Sequence, residues 1–378
     1  MISVENFIEE LNVHDIKFYT GVPDSLLKSV CAYISDNSEP NNNIIAANEG
    51  AAIAIAAGYN LATEKIPLVY MQNSGIGNAI NPLLSLVDYD VYNIPILMLI
   101  GWRGEPGFKD EPQHVKQGKI TLELLDTMKI KYEILPQKSS SLKKCINNSI
   151  SYIKKTNRPL ALVVKKNTFS KYSLSKNNKS NFMKREDVLE YIVSQLSKDD
   201  IIVSTTGKTS REIFEIREKF DNSHEQDFLT VGSMGHANQI ALGIALQKKD
   251  RNIYCIDGDG ALIMHAGSLG IIGDLAPENF KHILINNGAH DSVGGQKTIA
   301  HNIDICSIAK DFNYKKIYKV EKEVELKTIF TEFKNNKGPV FLEIIVKKGS
   351  RKELGRPNIS PKENKKAFIK FLKNGTKS

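Results

Sequence analysis

Seven short apolar runs are spaced along the chain at helix-length intervals or longer. They cover residues 68–71 (LVYM), 94–100 (IPILMLI), 160–164 (LALVV), 201–204 (IIVS), 253–256 (IYCI), 282–285 (HILI) and 340–346 (VFLEIIV). A strand with one wet face alternates apolar and polar residues. A run that is apolar throughout needs cover on both faces, as in a parallel sheet between helices. Strands separated by helix-length segments predict repeated βα units, hence an α/β fold of mainly parallel sheets flanked by helices. Residues 166–185 (KNTFSKYSLSKNNKSNFMKR) interrupt the pattern. Rich in Lys, Asn and Ser, they read as a linker. Two α/β domains are therefore expected, 1–165 and 186–378, the second with a C-terminal extension. No short sequence repeat relates them.

The second half holds the most informative motif. Residues 253–260 (IYCIDGDG) read as a strand and a turn, twenty-five residues separate Gly260 from Asn286, and Asn286-Asn287-Gly288-Ala289 closes the next strand. An acid at one strand end and an amide at the next meet at one sheet edge, where open α/β sheets bind ligands. Mg²⁺ takes oxygen donors and shares them with phosphates. Asp259, Asn287 and a backbone carbonyl form such a set. Gly258 and Gly260 let a diphosphate approach the backbone, and the following helix start favours its charge. A Gly-Asp-Gly turn alone is commonplace; its spacing from the Asn pair gives it meaning.

Formal net charge is +8, and 41% of the 378 residues are hydrophobic. The basic residues are scattered and Lys-rich, and no nucleic-acid motif accompanies them, so nucleic acid is not an expected partner. Cys31, Cys145, Cys255 and Cys306 form no CxxC pair, which disfavours zinc-ribbon and thioredoxin readings and fits a reducing compartment. The first fifteen residues are acidic and lack an apolar core, and no uncharged apolar stretch reaches the ~18 residues of a membrane span. A cytoplasmic enzyme is expected, with no membrane partner.

The spaced Gly-Asp-Gly and Asn-Asn motif resembles that of thiamine-diphosphate-dependent decarboxylases, and other segments follow the family's order. Asn48-Glu49-Gly50 before AAIAIAAGYNLAT is similar to the segment whose glutamate hydrogen-bonds the cofactor's aminopyrimidine ring. On its own, Glu49 would read as a helix cap. Residues 231–235 (VGSMG) match the segment whose bulky residue, here Met234, wedges between the cofactor's rings, while the Gly232 carbonyl accepts from the amino nitrogen. The resemblance implies a pyrimidine-binding domain, a diphosphate-binding domain and Mg²⁺ on Asp259, Asn287 and the Ala289 carbonyl. Gly258, Gly260 and Ala261 would line the cofactor.

The finer resemblance is to the phosphonopyruvate and sulfopyruvate decarboxylases. It rests on residues 20–26 (TGVPDSL), 72–84 (QNSGIGNAINPLL), 103–113 (RGEPGFKDEPQ), 205–212 (TTGKTSRE), 287–296 (NGAHDSVGGQ) and 349–357 (GSRKELGRP). Lys297 departs from the pattern, where a proline is expected. The resemblance implies decarboxylation of a small anionic 2-oxo acid, with a proton delivered after CO₂ leaves. Asp24 and His114 are the catalytic candidates for moving protons, with His290 a further one. Lys208, Arg211, Arg103, Arg351 and Arg356 are cationic candidates for the substrate's second anion, and Ser292 and Gln296 neutral ones. In this family the glutamate and the diphosphate site come from different subunits, so a homodimer or higher homo-oligomer is implied. A dinucleotide-binding dehydrogenase would need G-x-G-x-x-G after an early strand, and QNSGIGNAI lacks the third glycine. A non-catalytic subunit fits poorly, since one chain carries both Glu49 and the metal motif.

Overall fold

A computed structural model describes residues 1–175, 181–220 and 224–373. The chain divides into two compact units, Met1–Asn177 with Ser292–Gln296, and Asn178–Asp291 with Lys297–Ser378.

The first unit is built on β1 (Tyr19–Gly21), β2 (Asn43–Ile45), β3 (Leu68–Gln72), β4 (Leu97–Gly101), β5 (Lys131–Ile134) and β6 (Leu160–Val164). Their order is β2-β1-β3-β4-β6-β5, and every pairing is parallel. The pleat explains the unbroken apolar runs, because successive side chains point to opposite faces. Leu68 and Tyr70, Leu97 and Leu99, and Leu160 and Leu162 enter one core. Val69 and Met71, Met98 and Ile100, and Ala161 and Val163 enter the other.

The second unit repeats this plan with β7 (Ile201–Ser204), β8 (Asp227–Leu229), β9 (Ile253–Gly258), β10 (Phe280–Asn286), β11 (Lys316–Val320) and β12 (Val340–Ile345). The order β11-β12-β10-β9-β7-β8 is again all parallel. Counting β7 as the first strand, it runs 2-1-3-4-6-5 from the β8 edge, as the first sheet does from the β2 edge. The units share a topology that no sequence repeat betrays. In each sheet the chain leaves its first strand in one direction and reaches its third in the other. That reversal opens a crevice at the carboxyl ends of β1 and β3, and of β7 and β9.

The seven expected strands are all present. The five others are β1, β2, β5, β8 and β11. Four of these are sheet edges, and β5 and β11 carry exposed and half-buried residues rather than apolar runs. Within 166–185, Phe169 pairs with Ile2 and Met183 with Val346, so both ends are tied into units. Residues 176–180 of that stretch lie outside the described residues.

Candidate active site

In the first unit the candidates gather at the carboxyl ends of β1, β3 and β4. The helix Glu49–Thr63 is capped by Asn48, whose side chain accepts from Ala51 N at 2.9 Å. Asn48 takes the capping role and frees Glu49, which is buried in the first turn. Asn78 Nδ2 donates to Glu49 Oε2 at 2.7 Å. Gly75 faces the same carboxyl, and a Cβ there would stand 2.6 Å from Glu49 Cγ and Cδ.

Asp24 has no solvent exposure. Gln72 Nε2 donates to its Oδ1 at 2.6 Å and Leu26 N to its Oδ2 at 2.8 Å. Arg103 forms a fork with Asp110, at 2.8 and 2.5 Å, and donates to Ser25 Oγ at 2.7 Å. His114 opens the helix Pro112–Thr127, and its Nδ1 is buried without a hydrogen-bond partner. Burial, reinforced by the Arg103 charge, pushes its pKa below the ordinary histidine value, while Asp110 and Asp24 oppose this. His114 is therefore neutral at pH 7. Gln72, Asn78 and Asp110 lie inside the resembling segments, yet only the folded contacts give them roles.

In the second unit, Asp259 follows β9 and Asn287 follows β10. Asp259 is 3% exposed. It accepts from the Thr298 hydroxyl and from backbone N–H groups that include Gly260 and Asn287. No cationic side chain reaches it at ion-pair distance among the described residues. Burial pushes its pKa up to about 6. Asn287 Oδ1 accepts from Ala289 N at 3.0 Å and keeps a lone pair. A buried acid and a buried amide oxygen are donors of the kind a hard dication takes, and the Ala289 carbonyl, the third expected donor, accepts from Asp291 N at 2.9 Å.

The expected glycines do steric work here. A Cβ on Gly260 would lie 2.9 Å from His290 Cε1 and 3.4 Å from Met234 Cε, so these three residues are brought together. Ala261 is buried one residue further, and Gly258 ends β9. The turn carrying Gly232 and Met234 has left-handed Ser233 (φ 51°) and Gly235 (φ 86°). His236 Nδ1 lies 3.2 Å from the carbonyls of Ser233 and Met234. Burial pushes His290 down to about 4, so it too is neutral.

Several cationic candidates are already engaged. Arg351 bonds Glu186 at 2.7 Å and pairs with Glu215. Arg211 donates to the carbonyls of Leu354 and Gly355. Both therefore hold the C-terminal segment, on which Arg356 is exposed. Lys208 meets Asp291 at 3.3 Å, which Arg185 also reaches at 3.3 Å. Arg185 itself is buried on Glu212, at 2.6 and 2.8 Å. It went unnoticed in sequence because it stands in a Lys-rich stretch that reads as solvated. Ser292 is exposed. Gln296 is 2% exposed, and neither end of its amide is bonded among the described residues.

Comparison with known proteins bears on this geometry. The thiamine pyrophosphate enzyme, N-terminal TPP binding domain, matches residues 3–129, and the C-terminal TPP binding domain matches 206–344. A phosphonopyruvate decarboxylase of Streptomyces viridochromogenes is 30% identical, covering 98% of this chain and 95% of that protein. One from Streptomyces hygroscopicus is 30% identical over 98% and 94%. A sulfopyruvate decarboxylase of Methanosarcina acetivorans is 28% identical over 97% of each chain. The chain belongs to the thiamine pyrophosphate enzyme family, together with the phosphonopyruvate and sulfopyruvate decarboxylases.

Proposed function

We propose that this chain is a Mg²⁺- and thiamine-diphosphate-dependent carboxy-lyase that converts 3-phosphonopyruvate to phosphonoacetaldehyde and CO₂, a step of phosphonate biosynthesis in the cytoplasm. The observation that carries the cofactor assignment is Asp259, a buried acid with no cationic side chain at ion-pair distance among the described residues, bonded to the backbone of Asn287. The substrate assignment rests on likeness to phosphonopyruvate decarboxylases along nearly the whole chain.

Bound thiamine diphosphate supplies the electron sink for loss of CO₂. Asp259, Asn287 and the Ala289 carbonyl would hold Mg²⁺ against the diphosphate, with Gly258, Gly260 and Ala261 giving it backbone room. Met234 would support the rings and the Gly232 carbonyl would accept from the amino group. Glu49, steadied by Asn78, would hold a proton toward the ring nitrogen of the bound cofactor. Replacing carboxylate by hydrogen on the 2-oxo carbon consumes one proton. Asp24, gripped by Gln72, is the first candidate to pass it, and neutral His114 or His290 can relay it. For the phosphonate, Lys208 is the first candidate. It stands just beyond β7 and shares its carboxylate with Arg185. Like Lys208 on Asp291, Arg103, Arg211 and Arg351 each hold a bonded partner that the phosphonate would have to displace, and Arg356, Ser292 and Gln296 are the further candidates. The active form is a homodimer or larger homo-oligomer.

The test is decarboxylation of phosphonopyruvate, sulfopyruvate and pyruvate, with and without thiamine diphosphate and Mg²⁺. Phosphonopyruvate should lead in kcat/KM by about 100-fold over pyruvate, since a site built for a charged group rejects analogues that lack it. A lead for sulfopyruvate would overturn the substrate. Glu49→Gln should bind cofactor and lose nearly all turnover.

A further inference from the structure

Glu343 sits within β12, whose other residues are all apolar, and is 4% exposed. Lys319, its partner in the register with β11, pairs instead with Glu321 at 2.9 Å. A buried acid is tolerated only when its oxygens are bonded. Oε1 accepts from Asn286 Nδ2 at 2.7 Å, and Oε2 from the Cys306 thiol at 3.3 Å.

Asn286 is fully buried at the end of β10 and passes the constraint on. Its Oδ1 accepts from Gly288 N at 3.0 Å, and its backbone carbonyl accepts from Val346 N at 2.9 Å. Gly288 is left-handed (φ 62°), and a Cβ there would lie 2.6 Å from the His301 ring. The turn is thus held on both sides, and it carries Asn287 and Ala289.

We propose that Glu343 is a positioning residue for the metal loop: through the Asn286 amide it fixes the turn that presents Asn287 Oδ1 and the Ala289 carbonyl beside Asp259. The inference rests on the assignment of those three residues to the metal, and not on the identity of the substrate. Groups that orient metal ligands act on affinity, and removing one typically costs 10- to 100-fold.

The experiment titrates Mg²⁺ into full-length protein with saturating thiamine diphosphate, by calorimetry. Glu343→Ala should weaken Mg²⁺ about 10- to 100-fold. Glu343→Gln keeps an acceptor for Asn286 and should stay within about 3-fold, whereas Glu343→Met keeps the bulk without the acceptor and should lose as much as the alanine variant. Cys306→Ala, which removes only the other donor, should bind as wild type. Wild-type affinity in Glu343→Ala, or equal losses in the Ala and Gln variants, would overturn the role. If Glu343→Ala does not fold, Asn286→Ala against Cys306→Ala makes the same comparison, and equal affinities overturn it. Asp259→Ala separates the two levels. If it leaves Mg²⁺ binding unchanged, the metal assignment falls and this inference with it. If it abolishes binding while Glu343→Ala does not weaken it, only the positioning role falls.

Discussion

At the scale of single residues, the chemistry proposed for the first unit depends on a carboxyl group held still. Glu49 is fixed by one hydrogen bond from Asn78 and by the absence of a side chain at Gly75. Gly75 has an ordinary helical backbone (φ −71°), so alanine fits there conformationally, and the three atoms nearest its Cβ would all belong to Glu49. Gly75→Ala should lower kcat about 100-fold, because a misplacement near 1 Å has that effect. Unfolding stability should move by less than about 1 kcal/mol. Loss of stability without loss of kcat would show that Glu49 does not need its place. Asp259 was legible in the sequence through the spacing of its turn from the Asn pair, and Glu49 only through the family resemblance, since alone it reads as a helix cap. Gln72, Asn78, Asp110, Thr298 and Glu343 were not. Each acts on a residue at least seven positions away, and spacing alone cannot reveal that contact.

At the scale of elements, every inner strand except the three-residue β1 was legible and the edges were not, and burial is the main physical reason. An inner strand of a covered parallel sheet must be apolar on both faces, whereas an edge strand such as β5 (KYEI) need not be. β10 shows the limit of the rule. It is buried along its whole length, yet it begins with Phe280-Lys281. Lys281 is 2% exposed and donates to the Asn336 carbonyl. Burial pulls its pKa from 10.5 down to about 8, a cost of roughly 3 kcal/mol in the charged form. Below pH 8 the lysine is protonated whether folded or unfolded, and the cost is present in full. Between about 8 and 10.5 the folded chain binds fewer protons, so its stability rises with pH. Lys281→Met should therefore stabilise the protein by about 2 kcal/mol at pH 7, allowing for the lost hydrogen bond. The gain should shrink toward zero by pH 10. Denaturant unfolding at both pH values measures it, and an equal gain at both would mean the charge is not the cause.

At the scale of the whole molecule, one topology occurs twice, and the proposed chemistry is divided between the copies. Glu49 belongs to the first unit, and Asp259 with Asn287 to the second. The family resemblance implies that each centre joins the glutamate of one subunit to the metal site of another. Mixing two inactive variants tests this directly. Take Glu49→Gln and Asp259→Ala, each dead on its own. In a homodimer with two such centres, a hybrid of the two has one centre that combines both lesions and one that carries neither. Random reassortment makes about half the dimers hybrid, so about a quarter of all centres should work. Mixed proteins, dissociated and reassociated, should recover roughly that share of wild-type turnover, with unchanged KM in the rescued centres. If each centre were completed within a single chain, every centre in the mixture would carry one lesion. No recovery, in a mixture shown by mass to contain hybrids, would exclude the shared centre.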